Sequence, residues 1–140
     1  MAKSTILVAD DEARIRRLVG DFLKSQGYHV LEAKDGQEAV DIFNENAQQI
    51  HLVILDIMMP RLDGWQVLAE IRSSSLVPVL LLTAKGEEHD QLNGFKLGAD
   101  DFVTKPFSPS ILMARVAALL KRTTTATAAN LEIGGIKIDN

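Results

Sequence analysis

The chain has 140 residues and no cysteine. That removes disulfide scaffolds, thiolate metal sites and cysteine nucleophiles at once. It lacks a basic excess: 15 Lys and Arg against 19 Asp and Glu leave a formal net charge of −4, which argues against this segment gripping nucleic acid by itself. Long hydrophobic runs are missing. Stretches such as residues 79–82 are far short of a membrane span. The N-terminus leads through Ile6-Leu7-Val8-Ala9 straight into Asp10-Asp11-Glu12, without the apolar core and small-residue cleavage site of a signal peptide. The chain reads as soluble and cytoplasmic, with no membrane association. No G-x-G-x-x-G and no G-x-x-x-x-G-K-[ST] occurs, so a nucleotide- or flavin-binding reading lacks any phosphate-cradling loop.

What is present is a core-forming composition, 46% hydrophobic, in two alternating rhythms. Short aliphatic runs at 5–9, 29–33, 52–55, 79–82 and 102–104 read as strands. Between them lie helical faces: Ile15, Leu18, Val19, Phe22 and Leu23; Ala39, Val40 and Phe43; Trp65, Leu68 and Ile71; Leu92 and Phe95; Leu112, Val116, Leu119 and Leu120. Gly27, Asp35-Gly36, Asp63-Gly64, Pro78, Gly98 and Pro106 punctuate the joints. Five βα units are expected, forming one parallel sheet with helices on both faces. Periodicity does not settle the strand order, for which the flavodoxin-like 2-1-3-4-5 is one of two common choices. Residues 1–122 form the domain. The threonine-rich stretch 123–130 reads as a flexible linker, and 131–140 alternates like a strand, a stub of something further.

Ligands of open α/β sheets bind beyond the carboxyl ends of the strands. Asp10 and Asp11 close the first strand and Asp56 closes the third. If those strands are neighbours, three carboxylates converge. Two unit charges about 4 Å apart repel by roughly 4 kcal/mol at an effective dielectric near 20, so a cation or a shared proton is expected. Mg²⁺ suits such a cluster, since it takes one or two carboxylates, waters and phosphate oxygens. Taken singly, Asp11 with Glu12 reads equally well as a helix cap and Asp56 as a turn-former; their convergence favours a site. Thr83 ends the fourth strand and Lys105 the fifth, placed to contact a phosphoryl group on Asp56. His29, His51 and His89 are scattered and read as surface or strand-edge residues.

Four blocks carry a family resemblance: Ile6-Leu7-Val8-Ala9-Asp10-Asp11-Glu12, Asp56-Ile57-Met58-Met59-Pro60-Arg61-Leu62-Asp63-Gly64, Leu82-Thr83-Ala84, and Gly98-Ala99-Asp100-Asp101-Phe102-Val103-Thr104-Lys105-Pro106-Phe107. In order and spacing, over about residues 4–122, they resemble the receiver domain of two-component response regulators. The resemblance implies strand order 2-1-3-4-5 and a cis Lys105–Pro106 bond. It implies that a sensor histidine kinase donates a phosphoryl group to Asp56. Mg²⁺ would be held by Asp10, Asp11, Asp56 and the Met58 backbone carbonyl, with Asp11 binding directly and Asp10 largely through water. Thr83 and Phe102 would form the switch, Phe102 standing where relatives commonly carry Tyr. Met58 and Lys85 would tune phosphoryl lifetime. Arg14, Ile15, Arg16, Arg17 and Leu18, with the loop after Lys105, would form the kinase-docking surface.

The last block, the linker and the stub resemble the branch with a winged-helix DNA-binding effector, whose first strand the stub would be. That branch dimerises on phosphorylation through its fourth helix, fifth strand and fifth helix. Asp101, Arg115 and Arg122 match charge-pairing positions there, whereas His89, Gln91 and Leu97 stand where charged partners are common. DNA binding would lie in the absent effector. The competing reading is a Mg²⁺-dependent phosphohydrolase with Asp56 as nucleophile. It wants a second acid two residues on, where Met58 stands.

Overall fold

The computed structural model describes residues 4–84 and 98–132, with side chains to residue 121. The elements run β1 (Thr5–Ala9), α1 (Ala13–Ser25), β2 (His29–Ala33), α2 (Gly36–Asn46), β3 (Ile50–Asp56), α3 (Gly64–Arg72), β4 (Val79–Ala84), β5 (Asp101–Lys105) and α4 (Pro109–Glu132). The five strands pair in parallel in the order β2-β1-β3-β4-β5. This is the doubly wound order implied by the resemblance. The expected helix between β4 and β5, with Leu92 and Phe95, falls outside the described residues, as do Lys85, His89, Gln91 and Leu97. Four helices are therefore described, against five expected.

Side chains alternate across a strand with period two, and the central strands are apolar on both faces. Leu7, Val53, Leu55, Val79 and Leu81 pack with Val40 and Phe43 of α2 and Val67, Leu68 and Ile71 of α3. Ile6, Val8, Leu52, Ile54, Leu80 and Leu82 pack with Val19 and Leu23 of α1 and Leu112, Val116 and Leu119 of α4. The near-continuous apolar runs of β3 and β4 follow from this double burial. Leu18, expected on the buried face of α1, is instead 44% exposed, because that face narrows to Val19 and Leu23 with Ile15 at its margin.

The expected joints act as caps. Gly27, at φ 93°, closes α1 while its N–H donates to the Lys24 carbonyl and that of Tyr28 to the Leu23 carbonyl. Asp35 caps α2 by accepting from the Glu38 N–H at 2.8 Å. Asp63 and Gln66 form a reciprocal capping box on α3. Gly64 has a second role: a Cβ there would lie 2.7 Å from the Asp56 carbonyl oxygen, so the missing side chain lets α3 start directly against the backbone of Asp56.

The α4 backbone is helical to Glu132, so residues 123–130, expected as a linker, and the first two residues of the stub stand in helix. No glycine or proline falls between Pro109 and Gly134, and three alanines offset the threonines. The side chains of 122–132, including Arg122, and all of 133–140 lie outside the description. No described helix is long and apolar enough to cross a membrane.

Candidate functional site

Parallel pairing puts the carboxyl ends of all five strands on one edge. There a cavity of about 280 Å³ is lined by Asp11, Glu12, Asp56, Met58, Thr83 and Lys105, among others. One carboxylate oxygen each from Asp10, Asp11 and Asp56 lies within 4.8 Å of the others. The adjacency of β1 and β3 brings them together. The three differ in setting: Asp10 is fully buried and Asp56 is 6% exposed, whereas Asp11 is open to solvent.

Every polar atom of Asp10 is engaged. Its N–H donates to the Ala33 carbonyl at 3.1 Å. Its Oδ1 accepts from the Glu12 N–H at 2.9 Å, and its Oδ2 from Lys105 Nζ at 3.0 Å. Its carbonyl oxygen accepts from Arg16 Nη1 at 2.7 Å. Lys105 reaches across the edge from β5, with Nζ also 3.2 Å from Asp56 Oδ2 and 3.9 Å from Glu12 Oε1. One ammonium thus faces two buried carboxylates. The second Asp56 oxygen accepts from the Met58 N–H at 3.3 Å. Glu12 is the N-cap residue of α1 but makes no side-chain cap bond. The capping alternative for the acidic triplet therefore does not describe its side chain.

Burial, then the nearby Asp10 charge, pushes the Asp56 carboxyl up to about 6, against the opposing pull of Lys105 and the Met58 N–H. For Lys105, burial favours the neutral amine, but hydrogen bonding to Asp10 and the charges of Asp10 and Asp56 win, and the ammonium is held above its ordinary range. Unfolded Asp56 titrates near 3.8, so between these values the folded chain binds a proton that the unfolded chain has released. Stability from this group is complete below about pH 4 and lost as pH rises through about 6. At about 1.4 kcal/mol per unit the loss is on the order of 3 kcal/mol. Asp56→Asn has no charge to desolvate. In chelator, its stability advantage over wild type is expected to widen from about pH 4 to about pH 7, read by urea unfolding. A pH-independent difference would place the origin elsewhere.

Thr83 is buried at the end of β4, in the cavity wall, its hydroxyl donating only a long 3.4 Å bond to the Ala84 carbonyl. Phe102 is 7% exposed and packs into the cluster on the α2–α3 side of the sheet. Met58 is 71% exposed beside the cavity. The Lys105–Pro106 bond is cis. Trp65 is half-buried against the α2–α3 cluster. His29 is exposed, and His51 Nδ1 accepts from the Thr5 N–H at the amino-end edge of the sheet, so neither joins the site. Asp101 and Arg115 are joined to each other within the chain, at 3.1 and 3.3 Å. Sequence patterning alone does not assign the Arg16–Asp10 bond or the Glu12–Lys105 contact. Both depend on where α1 and β5 lie relative to β1.

A family model described as "Response regulator receiver domain" matches residues 6–117. Among curated proteins, one from Cyanophora paradoxa named "Probable transcriptional regulator ycf27" is 47% identical, the match covering 98% of this chain and 59% of that protein. "Transcriptional regulatory protein SrrA" of Staphylococcus aureus is 45% identical over 87% of this chain and 50% of its own length. The chain thus spans between half and three-fifths of these relatives. Among solved structures, the receiver domain of Francisella response regulator 1452 superposes with a TM-score of 0.81 at 36% identity, covering 86% of this chain and 99% of that one. The receiver domain of NtrX from Brucella abortus gives 0.78 at 34%, covering 83% and 98%.

Proposed function

Because the chain belongs to the response regulator receiver domain family, a family of signalling switches, we propose that Asp56 is its phosphoacceptor and that a sensor histidine kinase is the donor. The observation that carries this is the Asp56 carboxylate itself: buried, 3.2 Å from Lys105 Nζ, and opening on a cavity shared with Asp11 and Thr83. In the transfer, a carboxylate oxygen of Asp56 forms a bond to phosphorus as the phosphorus–nitrogen bond of the donor phosphohistidine breaks. The electron pair leaves with the imidazole, which takes its proton from solvent. Such transfer depends on positioning and charge neutralisation more than on proton shuttling. Lys105 holds a positive charge at the acceptor throughout, and the Thr83 hydroxyl is at hand for the phosphoryl oxygens.

The donor set is all hard oxygen, two buried carboxylates and one exposed, which fits Mg²⁺. Asp11 would hold the ion directly, with Asp56 and the Met58 carbonyl. Asp10, fully buried and not in the cavity lining, would act largely through water. When bound, the ion supplies neutralisation of the acceptor and of the phosphoryl oxygens.

On α1, Arg14 and Arg17 are exposed and Leu18 is 44% exposed. Leu18, Ile15, Pro106 and Phe107 line an apolar hollow of about 380 Å³ beside Lys105, which with the exposed arginines of the same helix supports kinase docking here. A phosphoryl group brings about −1.5 to −2 charges and three acceptor oxygens. Thr83 would turn toward it and Phe102 would repack, altering the face made by β5 and α4. The ion pair of Asp101 and Arg115 lies on that face, so a phosphorylation-dependent homodimer would exchange this pair for one between chains. The relatives' names support transcription regulation as the output, with DNA binding in a part beyond the receiver. Met58 and Lys85 would set phosphoryl lifetime.

The test is incubation with Mg²⁺ and acetyl phosphate followed by intact-mass measurement. One phosphoryl group per chain is expected, stable to acid and lost in base. Repeated turnover of an external phosphate ester with no adduct would make the protein a hydrolase instead.

A further inference from the structure

The family resemblance puts Arg16 with Arg14 and Arg17 on the docking face, but its side chain goes elsewhere. Only 18% exposed, it lies back along α1 toward the strand ends, the direction in which helical side chains lean. Nη1 donates to the Asp10 carbonyl at 2.7 Å and Nε to Glu32 Oε1 of β2 at 3.2 Å. The guanidinium thus ties α1, β2 and the end of β1 into one unit.

Two further features surround this contact. Gly20 is buried one turn beyond Arg16, and a Cβ there would approach Glu32 Oε2 to 3.2 Å. An interior glycine weakens a helix relative to alanine, and here it leaves room for the Glu32 carboxylate against α1. The Asp10 residue is also gripped from the other side, its N–H on the Ala33 carbonyl of β2. The Asp10–Asp11 peptide is therefore held between β2 and Arg16.

We propose that Arg16 is a positioning residue for the cation site: by holding the Asp10 carbonyl it fixes the Asp10–Asp11 peptide, and so the point from which the exposed Asp11 carboxylate projects. This rests on the reading that Asp11 and Asp56 hold a divalent cation. Arg16 touches neither the phosphoryl group nor the ion. Its role needs the planar fork, which donates in two directions at once from one rigid group. A lysine supplies the charge but not that geometry.

The test is a Mg²⁺ titration of the full chain, followed by the fluorescence of its single tryptophan, Trp65, on the helix that begins against Asp56. Urea unfolding in chelator measures stability separately. Groups that orient metal ligands are typically worth ten- to a hundredfold in affinity. Arg16→Met is expected to raise the Mg²⁺ dissociation constant about tenfold. Arg16→Lys, which keeps the charge and the fold, is expected to recover no more than part of that. Lys24→Met, which removes a positive charge from the exposed end of the same helix, is expected to leave the affinity within twofold. Full rescue by Arg16→Lys would reduce the role to charge and overturn the proposal. So would an unchanged dissociation constant in Arg16→Met beside lowered stability, which would leave a merely structural contact. A wild-type chain that binds no Mg²⁺ would remove the underlying reading as well, whereas a wild type that binds beside an Arg16→Met that binds equally well would remove this inference alone.

Discussion

Asp56→Asn is expected to abolish phosphoryl acceptance entirely. The amide keeps the size of the side chain but has no anionic oxygen with which to attack phosphorus. The neighbouring acids do not substitute, for different reasons. Asp10 is fully buried and is not among the residues that line the cavity, so its carboxylate does not meet the donor. Asp11 is open to solvent and lacks the 3.2 Å ammonium contact that Asp56 has. With Mg²⁺ and excess acetyl phosphate, intact-mass measurement should find a singly phosphorylated wild type and an unmodified variant at every time point. An adduct forming on the variant at the wild-type rate would mean that another residue is the acceptor. The same substitution removes a charge that burial disfavours, so the inactive variant should be the more stable protein in chelator at neutral pH. Loss of function with gain of stability is a signature that simple misfolding does not produce.

Lys105→Met is expected to have the largest effect on the fold and the next largest on the chemistry. Methionine keeps the length of the side chain and removes the one cation found within reach of both Asp10 and Asp56 among the described residues. Taking away one partner of a buried ion pair costs roughly 3–5 kcal/mol, because the charge left behind stays desolvated. The carboxyls reduce that cost by binding protons. The destabilisation should therefore be greatest above about pH 6, where wild-type Asp56 is ionised, and shrink as the pH falls. Urea unfolding in chelator at about pH 8 and about pH 5 separates the two regimes. Equal destabilisation at both would mean that Lys105 acts through packing. The phosphorylation rate should fall about 10²- to 10³-fold even where the variant remains folded, which is typical of removing a preorganised charge from a reacting group.

The strands and the acids at their ends were legible because both are local features. A run such as Leu52-Val53-Ile54-Leu55 is apolar at every position only when both faces are covered, and an Asp directly after it marks where the sheet meets solvent. The caps at Asp35 and Asp63 were legible for the same reason, since a cap bond spans three residues. The linker expectation at 123–130 shows the limit of composition. Threonine-rich sequence suggests a loop, yet with no glycine or proline before Gly134 the α4 backbone continues to Glu132. Leu18 shows the limit of periodicity, which gives a helix its apolar face but not the width its neighbours cover.

By itself, then, the sequence determined the element order, the double-sided core and the identity of the acids and of the Thr and Lys at the strand ends. Each of these depends on residues close together along the chain. Tertiary structure alone decided the rest. It realised the β1–β3 adjacency that periodicity left open and the family resemblance implied. It drew Lys105 across 95 residues of chain to within 3.0 Å of Asp10, and buried Asp56 enough to raise its titration. It also turned Arg16 away from the docking face and onto the Asp10 carbonyl. The physical reason is that these interactions depend on the distances and dielectric between distant segments. Neither exists until the sheet has closed its order and the helices have covered it.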